Sequence, residues 1–182
     1  LVDITHIQNK SVQVENYQTT FLTLKVDGRL FRLDFIDKKE FKLKKGILGQ
    51  LRIYETRPLL IDYNENIVTA YINSKPEHFD DFVADFANAI NEITKGWRSW
   101  ANYVTDRKIN STLNNFLNNV KRGIGKLMEA PFSITQIAIK VCDKHNVATK
   151  MFGNELKREN FKLMLIGGDN YVIAKEFRIR QN

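Results

Sequence analysis

The sequence predicts an α+β protein in which an N-terminal antiparallel β-meander packs against a long αα-hairpin, with a mixed C-terminal segment ending in a β-hairpin. Three observations carry this. Apolar and polar residues alternate through much of positions 1–75; apolar residues then recur in steps of three and four from Phe79 onward; and two apolar runs flank Gly167-Gly168-Asp169-Asn170 near the end. The chain divides into a sheet region at 1–75, a helical hairpin at 76–130 and a basic segment at 131–182. These are expected to form one compact unit, and the composition shift near Ser74 is the natural seam if there are two.

The first elements are strands. "TTFLTLKVDGRLFRLDFID" alternates on both sides of Asp27-Gly28, a pair suited to the positive φ of a type I′ turn. "KKEFKLKKG" sets Phe41 and Leu43 among lysines, the pattern of an edge strand that charge keeps from aggregating. "QLRIYETRPLLIDY" and "NIVTAYIN" complete a meander of about five strands.

The period then becomes helical. Ser74 and Glu77 have capping-box spacing, Pro76 lies in the first turn, and Asp80 and Asp81 favour the positive end of a helix dipole. Apolar residues at 79, 83, 86, 90, 93, 97, 100 and 104 keep heptad spacing, predicting one helix whose weak link is Gly96. Ile109, Leu113, Phe116, Val120 and Leu127 continue the spacing in a second helix closed by Pro131. Two such helices with a short joint fold back on each other, leaving a surplus apolar face for the sheet.

Residues 134–156, "ITQIAIKVCDKHNVATKMFGNEL", read in two ways. "VCDKHNVATKMFGNEL" resembles a helix-turn-helix, with Asn146 at the turn, Val147 buried after it, and Phe152 and Leu156 on the inner face of a second helix. The hairpin at Gly167–Asn170 would then be the wing of a winged helix. That resemblance implies Thr149, Lys150, Asn154 and Lys157 in a DNA groove, with Arg178 and Arg180 against phosphates. Against it, Gly153 falls inside the second helix, and Ile137, Ile139 and Val141 alternate at the strand period. The other reading is a β-hairpin turning at "DKHN".

Charge is unevenly spread. Residues 1–75 carry 12 basic and 9 acidic side chains, residues 76–106 carry 2 and 6, and residues 107–182 carry 14 and 6, within a net charge of +7. The C-terminal third is thus a basic pole that attracts polyanions or an acidic protein. No apolar run approaches the roughly 20 residues of a membrane span. The lone Cys142 cannot form an internal disulfide, which fits a reducing compartment and gives a cytoplasmic expectation; Leu1 is not an initiator Met, so a removed leader and secretion stay open.

Catalytic motifs fail on inspection. Cys142 and His145 are three apart, but His6 and His78 are remote and neither completes a zinc set. A Cys/His nucleophile pair lacks an evident third group to orient the imidazole. "GIGK" at 123–126 has Val120 and Leu127 where a phosphate-binding loop needs Gly and Ser or Thr. The carboxylates Glu77, Asp80, Asp81 and Asp85 are explained by a helix N-terminus. No cofactor or metal is expected.

The expectation is therefore a non-enzymatic protein that binds another protein or itself, of inhibitor, immunity or assembly-component type. Its candidate contacts are Trp97, Arg98, Trp100 and Tyr103 at the helix end, since Trp, Tyr and Arg dominate interface energetics, and Lys150, Lys157, Arg178 and Arg180 in the basic third. The alternative is DNA binding through the C-terminal winged helix-turn-helix.

Overall fold

The computed structural model describes residues 4–105, 112–155 and 159–181. It is an α+β protein whose strands pair antiparallel throughout. Contacts divide the chain into two compact units, Leu1–Leu60 with Asn160–Asn182, and Ile61–Glu159.

The first unit contains β1 (Ser11–Tyr17), β2 (Phe21–Val26), β3 (Arg29–Ile36), β4 (Glu40–Lys42) and β5 (Leu48–Tyr54). The β2–β3 turn forms at Asp27-Gly28, both at positive φ. β5 returns to pair with β1 instead of extending the meander past β4. The remaining strands of the unit, β9 (Lys162–Ile166), β10 (Tyr171–Ala174) and β11 (Glu176–Gln181), come from the C-terminal end, with the β9–β10 hairpin at the expected glycines.

Strand order in this sheet is β11-β3-β2-β1-β5-β9-β10-β4. β3 continues into β4 and β10 into β11, and β3 pairs with β11 while β4 pairs with β10. Lys39 N–H donates to Ile173 O at 2.9 Å and Lys175 N–H to Ile36 O at 3.0 Å, carrying the ladder through both bends. The sheet therefore closes on itself as a barrel, which removes most of its open edges. Val12, Val14, Leu22, Leu24, Leu33, Leu51, Met164, Ile166 and Val172 fill its core.

The chain leaves this unit within α1 (Pro58–Asn64), a helix where a strand through "PLLIDY" was expected. Pro58 explains the change, because it cannot donate to a ladder but suits the first helical position.

The second unit is built on β6 (Ile67–Ile72), flanked by β7 (Gly125–Pro131) and β8 (Thr149–Phe152) in the order β7-β6-β8. Between β6 and β7 come α2 (Phe79–Thr94), α3 (Ala101–Val104) and α4 (Leu113–Arg122); α5 (Phe132–Lys144) joins β7 to β8. The inner sheet residues Ala70, Ile72, Leu127, Met128 and Ala130 cluster with Phe82, Phe86, Ile90, Phe116, Val120, Ile134, Ala138 and Cys142 of the helices. A register shift beside Ala70 lets the consecutive Leu127 and Met128 both be buried.

The long helical hairpin at 76–130 does not form. α2 stops at Thr94 because Lys95 and Gly96 both take the left-handed conformation, at φ +50° and +74°. The heptad spacing that runs on through Trp97 and Trp100 is carried by a turn and the four-residue α3. Ile109, expected in the second helix, lies outside the described residues. α4 ends at Arg122, so the "GIGK" segment starts at a helix C-terminus and runs into β7. The capping box is absent too: His78 is the N-cap of α2, while Ser74 Oγ accepts the Ala148 N–H at 2.7 Å.

Neither reading of 134–156 holds. Residues 132–144 are helical and 149–152 form a strand, so β8 stands where the recognition helix would be. Helix prevails over the alternation of Ile137, Ile139 and Val141 because it buries Ile134, Ala138, Val141 and Cys142 together. Asn146 supplies the turn residue, at φ +55°.

Candidate functional site

The expected contact residues do not form one surface. Trp100 presents ring-edge contacts to Phe86 and Phe116, with centroids 6.3 and 5.6 Å away. Tyr103 is buried and its hydroxyl donates to Asp62 Oδ1 at 2.9 Å. Arg98 pairs with Asp62 Oδ2 and donates to the Tyr63 hydroxyl at 3.1 Å. Of this group, Trp97 alone is exposed. Burial, and secondarily the Asp62 charge, push the Tyr103 hydroxyl above its ordinary range, which keeps it a donor. This cluster seals the second unit's core.

The expected cationic contacts are dispersed. Arg178 holds Glu176 in two bonds of 2.7 and 3.0 Å, and Arg180 sits 3.1 Å from Asp34, which also binds Arg32 at 2.7 Å. All of these are charge ladders along β3 and β11 in the first unit. Lys157 lies outside the described residues. Lys150 is exposed on β8, with Nζ 4.9 Å from the centre of the Phe152 ring.

Cys142 and His145 are separated in role. Cys142 is fully buried in the core, and burial, more than the neighbouring Asp143, pushes its thiol up to about 12. Such a thiol is not a nucleophile at neutral pH. His145 Nε2 instead lies 2.9 Å from Asp85 Oδ2, and its ring meets the Phe82 ring edge at 5.5 Å. Among the described residues no three His, Cys, Asp or Glu side chains gather to hold a metal.

What the second unit does expose is the sheet face opposite its helices. Side chains alternate along β6, so Val68, Ala70 and Ile72 point into the core and Ile67, Thr69 and Tyr71 point out. On β8, Lys150 and Phe152 point out beside them, and Ile124 precedes β7 at the same end. Tyr71 and Phe152 meet edge to face with centroids 5.6 Å apart. Between these side chains lies a depression of about 480 Å³.

Of the seven large hydrophobic residues exposed among the described residues, Tyr71, Ile124 and Phe152 line this depression, and Ile67 lies farther along the same outward face of β6. Ile124 and Phe152 are 59% and 50% exposed, far more than packing within the unit requires. The rim is polar: Lys126 pairs with Glu129 at 2.5 Å, and Asn73 and Lys150 flank the aromatic pair. Sequence reading missed Tyr71, and placed Phe152 on a second helix in one reading of 134–156 and past a hairpin turn in the other. "IVTAYI", apolar on both alternating faces, held the signal.

Among the described residues no helix is long and apolar enough to cross a membrane. No family model, curated protein or solved structure matches this chain.

Proposed function

We propose that this chain is a non-catalytic binding protein that docks another protein on the outer face of β7-β6-β8. The observation that carries this is the concentration of Ile67, Tyr71, Ile124 and Phe152 on one face of a small sheet. An aromatic and aliphatic centre with a rim of Lys126, Glu129, Lys150 and Asn73 has the anatomy of a protein–protein contact. Covering each half-exposed side chain contributes on the order of 1 kcal/mol, so these four supply an anchor and the rim supplies selectivity.

Nucleic acid fits this face less well. Lys126 is matched by Glu129, and Lys150 already lies over the Phe152 ring on which a base would have to stack. With β8 in place of a recognition helix, residues 149–152 cannot enter a groove in the way the helix-turn-helix reading requires.

The test compares wild type with a Tyr71→Ser, Phe152→Ser double variant in affinity capture from the native host, with and without nuclease. Binding of a defined protein that survives nuclease and is lost in the variant supports the reading. Sedimentation that finds a dimer in wild type and a monomer in the variant identifies the partner as a second copy. Capture unchanged in the variant, or abolished by nuclease, overturns it.

A further inference from the structure

The second unit offers another surface on the helical side of its sheet, and it stands independently of the sheet-face reading. α2 and α5 pack against each other, leaving a solvent-facing trough of about 570 Å³ between them. Its floor is apolar. Ile137 and Val141 on α5 are one turn apart, and Ala89 and Ile93 match them on α2. Ile93 and Ile137 remain half-buried, so the helices do not fully cover each other's apolar stripes.

The rim of this trough is charged with one dominant sign. Lys95 lies at the end of α2, and Lys140 and Lys144 lie along α5, against the single carboxylate of Glu92. Lys144 is committed to Asp85 at 2.6 Å. The side-chain ammonium groups of Lys95 and Lys140 form no hydrogen bond or ion pair with any described residue, and they stand on opposite banks.

We propose that the trough receives a short amphipathic helix from a partner protein, with its apolar stripe on Ala89, Ile93, Ile137 and Val141 and acidic side chains on both flanks facing Lys95 and Lys140. A helix laid in a two-helix groove reads as anchors at i, i+3, i+4 and i+7. The lining from Ile137 to Lys144 spans about 10 Å at 1.5 Å per residue, enough for two turns of a docked helix. Cations on both banks of a concave apolar floor complement an apolar ridge between two acidic edges, whereas a flat anionic membrane would reach one bank without filling the floor.

The test uses the full chain and fluorescence anisotropy. One labelled probe is a peptide of about 18 residues of Leu, Ala and Glu with leucines at helical i, i+3, i+4, i+7 spacing; the others replace every Glu by Lys, or scramble the leucines. The acidic probe is expected to bind about tenfold or more tighter than either counterpart, and less tightly as salt is raised. A Lys95→Glu, Lys140→Glu double variant should reverse the preference, and Ile137→Ser should weaken the acidic probe by about tenfold. Tyr71→Ser with Phe152→Ser should leave it unchanged, which separates this proposal from the sheet-face reading.

Circular dichroism establishes that each variant is folded, and Ile137→Ala replaces Ile137→Ser if the serine variant is not. Equal binding of the acidic and lysine probes, equal binding of the scrambled probe, or an unreversed preference in the double lysine variant overturns the proposal. So does co-sedimentation with phosphatidylserine vesicles in the absence of peptide binding, which would assign the trough to a membrane surface.

Discussion

Asp85 Oδ2 lies 2.6 Å from Lys144 Nζ and 2.9 Å from His145 Nε2, so one carboxylate oxygen on α2 ties down the last turn of α5. The Lys144 hydrogen bond, and after it the His145 one, hold the Asp85 carboxyl below the ordinary aspartate range. A folded-state value below the unfolded one means that the contribution is present above the unfolded value and is lost as pH falls through the folded one. Asp85→Asn is therefore expected to lower the melting temperature at neutral pH, with the gap from wild type closing below about pH 4. Melting curves across an acid series measure this; a gap that stays constant to the acid end contradicts it.

Tyr103→Phe removes the hydroxyl that donates to the part-buried Asp62 Oδ1. The expected cost is about 1.5–3 kcal/mol, the range for a hydrogen bond to a charged group. Because the Tyr103 hydroxyl is raised above its unfolded value of about 10, this contribution is complete below that pH and fades on the alkaline side. Urea denaturation of both proteins at neutral and strongly alkaline pH should show the difference shrinking.

Cys142 is expected not to react with Ellman's reagent in native buffer and to titrate as one thiol in denaturant. Its burial and raised thiol both withhold the thiolate. Rapid labelling of the native protein would show that the core opens locally around α5.

Gly123→Ala should be among the most damaging small substitutions in the second unit. Gly123 ends α4 at φ +70°, and a Cβ there would lie 2.3 Å from Lys75 N and 2.7 Å from Ser74 C. Left-handed strain of roughly 1–2 kcal/mol adds to overpacking of about 1–3 kcal/mol against backbone that has little room to yield. Chemical denaturation should place the loss at about 2–5 kcal/mol in total; a loss below 1 kcal/mol would mean that the 74–75 segment moves freely.

The local signals in the sequence were sound where one short segment decides the structure. Asp27-Gly28 and Gly167–Asn170 both turn hairpins, and alternation across Leu22–Val26 and Leu30–Phe35 marks paired strands. Reading failed where distant partners decide. Leu127 continues a heptad, but pairing with Ala70 and its neighbours makes 125–131 a strand. Ile137 to Val141 alternates like a strand, but the inner sheet face rewards the helix that buries Ile134, Ala138 and Cys142. Trp97 and Trp100 kept the spacing of a helix that Lys95 and Gly96 had already ended. Their types suggested an interface; Trp100 packs partly buried against the second unit's core, and Trp97 is exposed. The sheet-face cluster combines β6 with a strand some 80 residues later, a juxtaposition no local pattern encodes.

The barrel is assembled from the two ends of the described chain. Tyr54 and Leu163 face each other across β5 and β9, where the polypeptide departs to make residues 61–159 and returns. On the ribosome, β3 and β5 emerge long before β11 and β9, so the nascent barrel waits half-open with sticky flanks while the inserted unit, contiguous in sequence, can condense first. Closure of the barrel is thus tied to completion of the inserted unit, and a stall anywhere between 61 and 159 would leave the first five strands without the partners that close them.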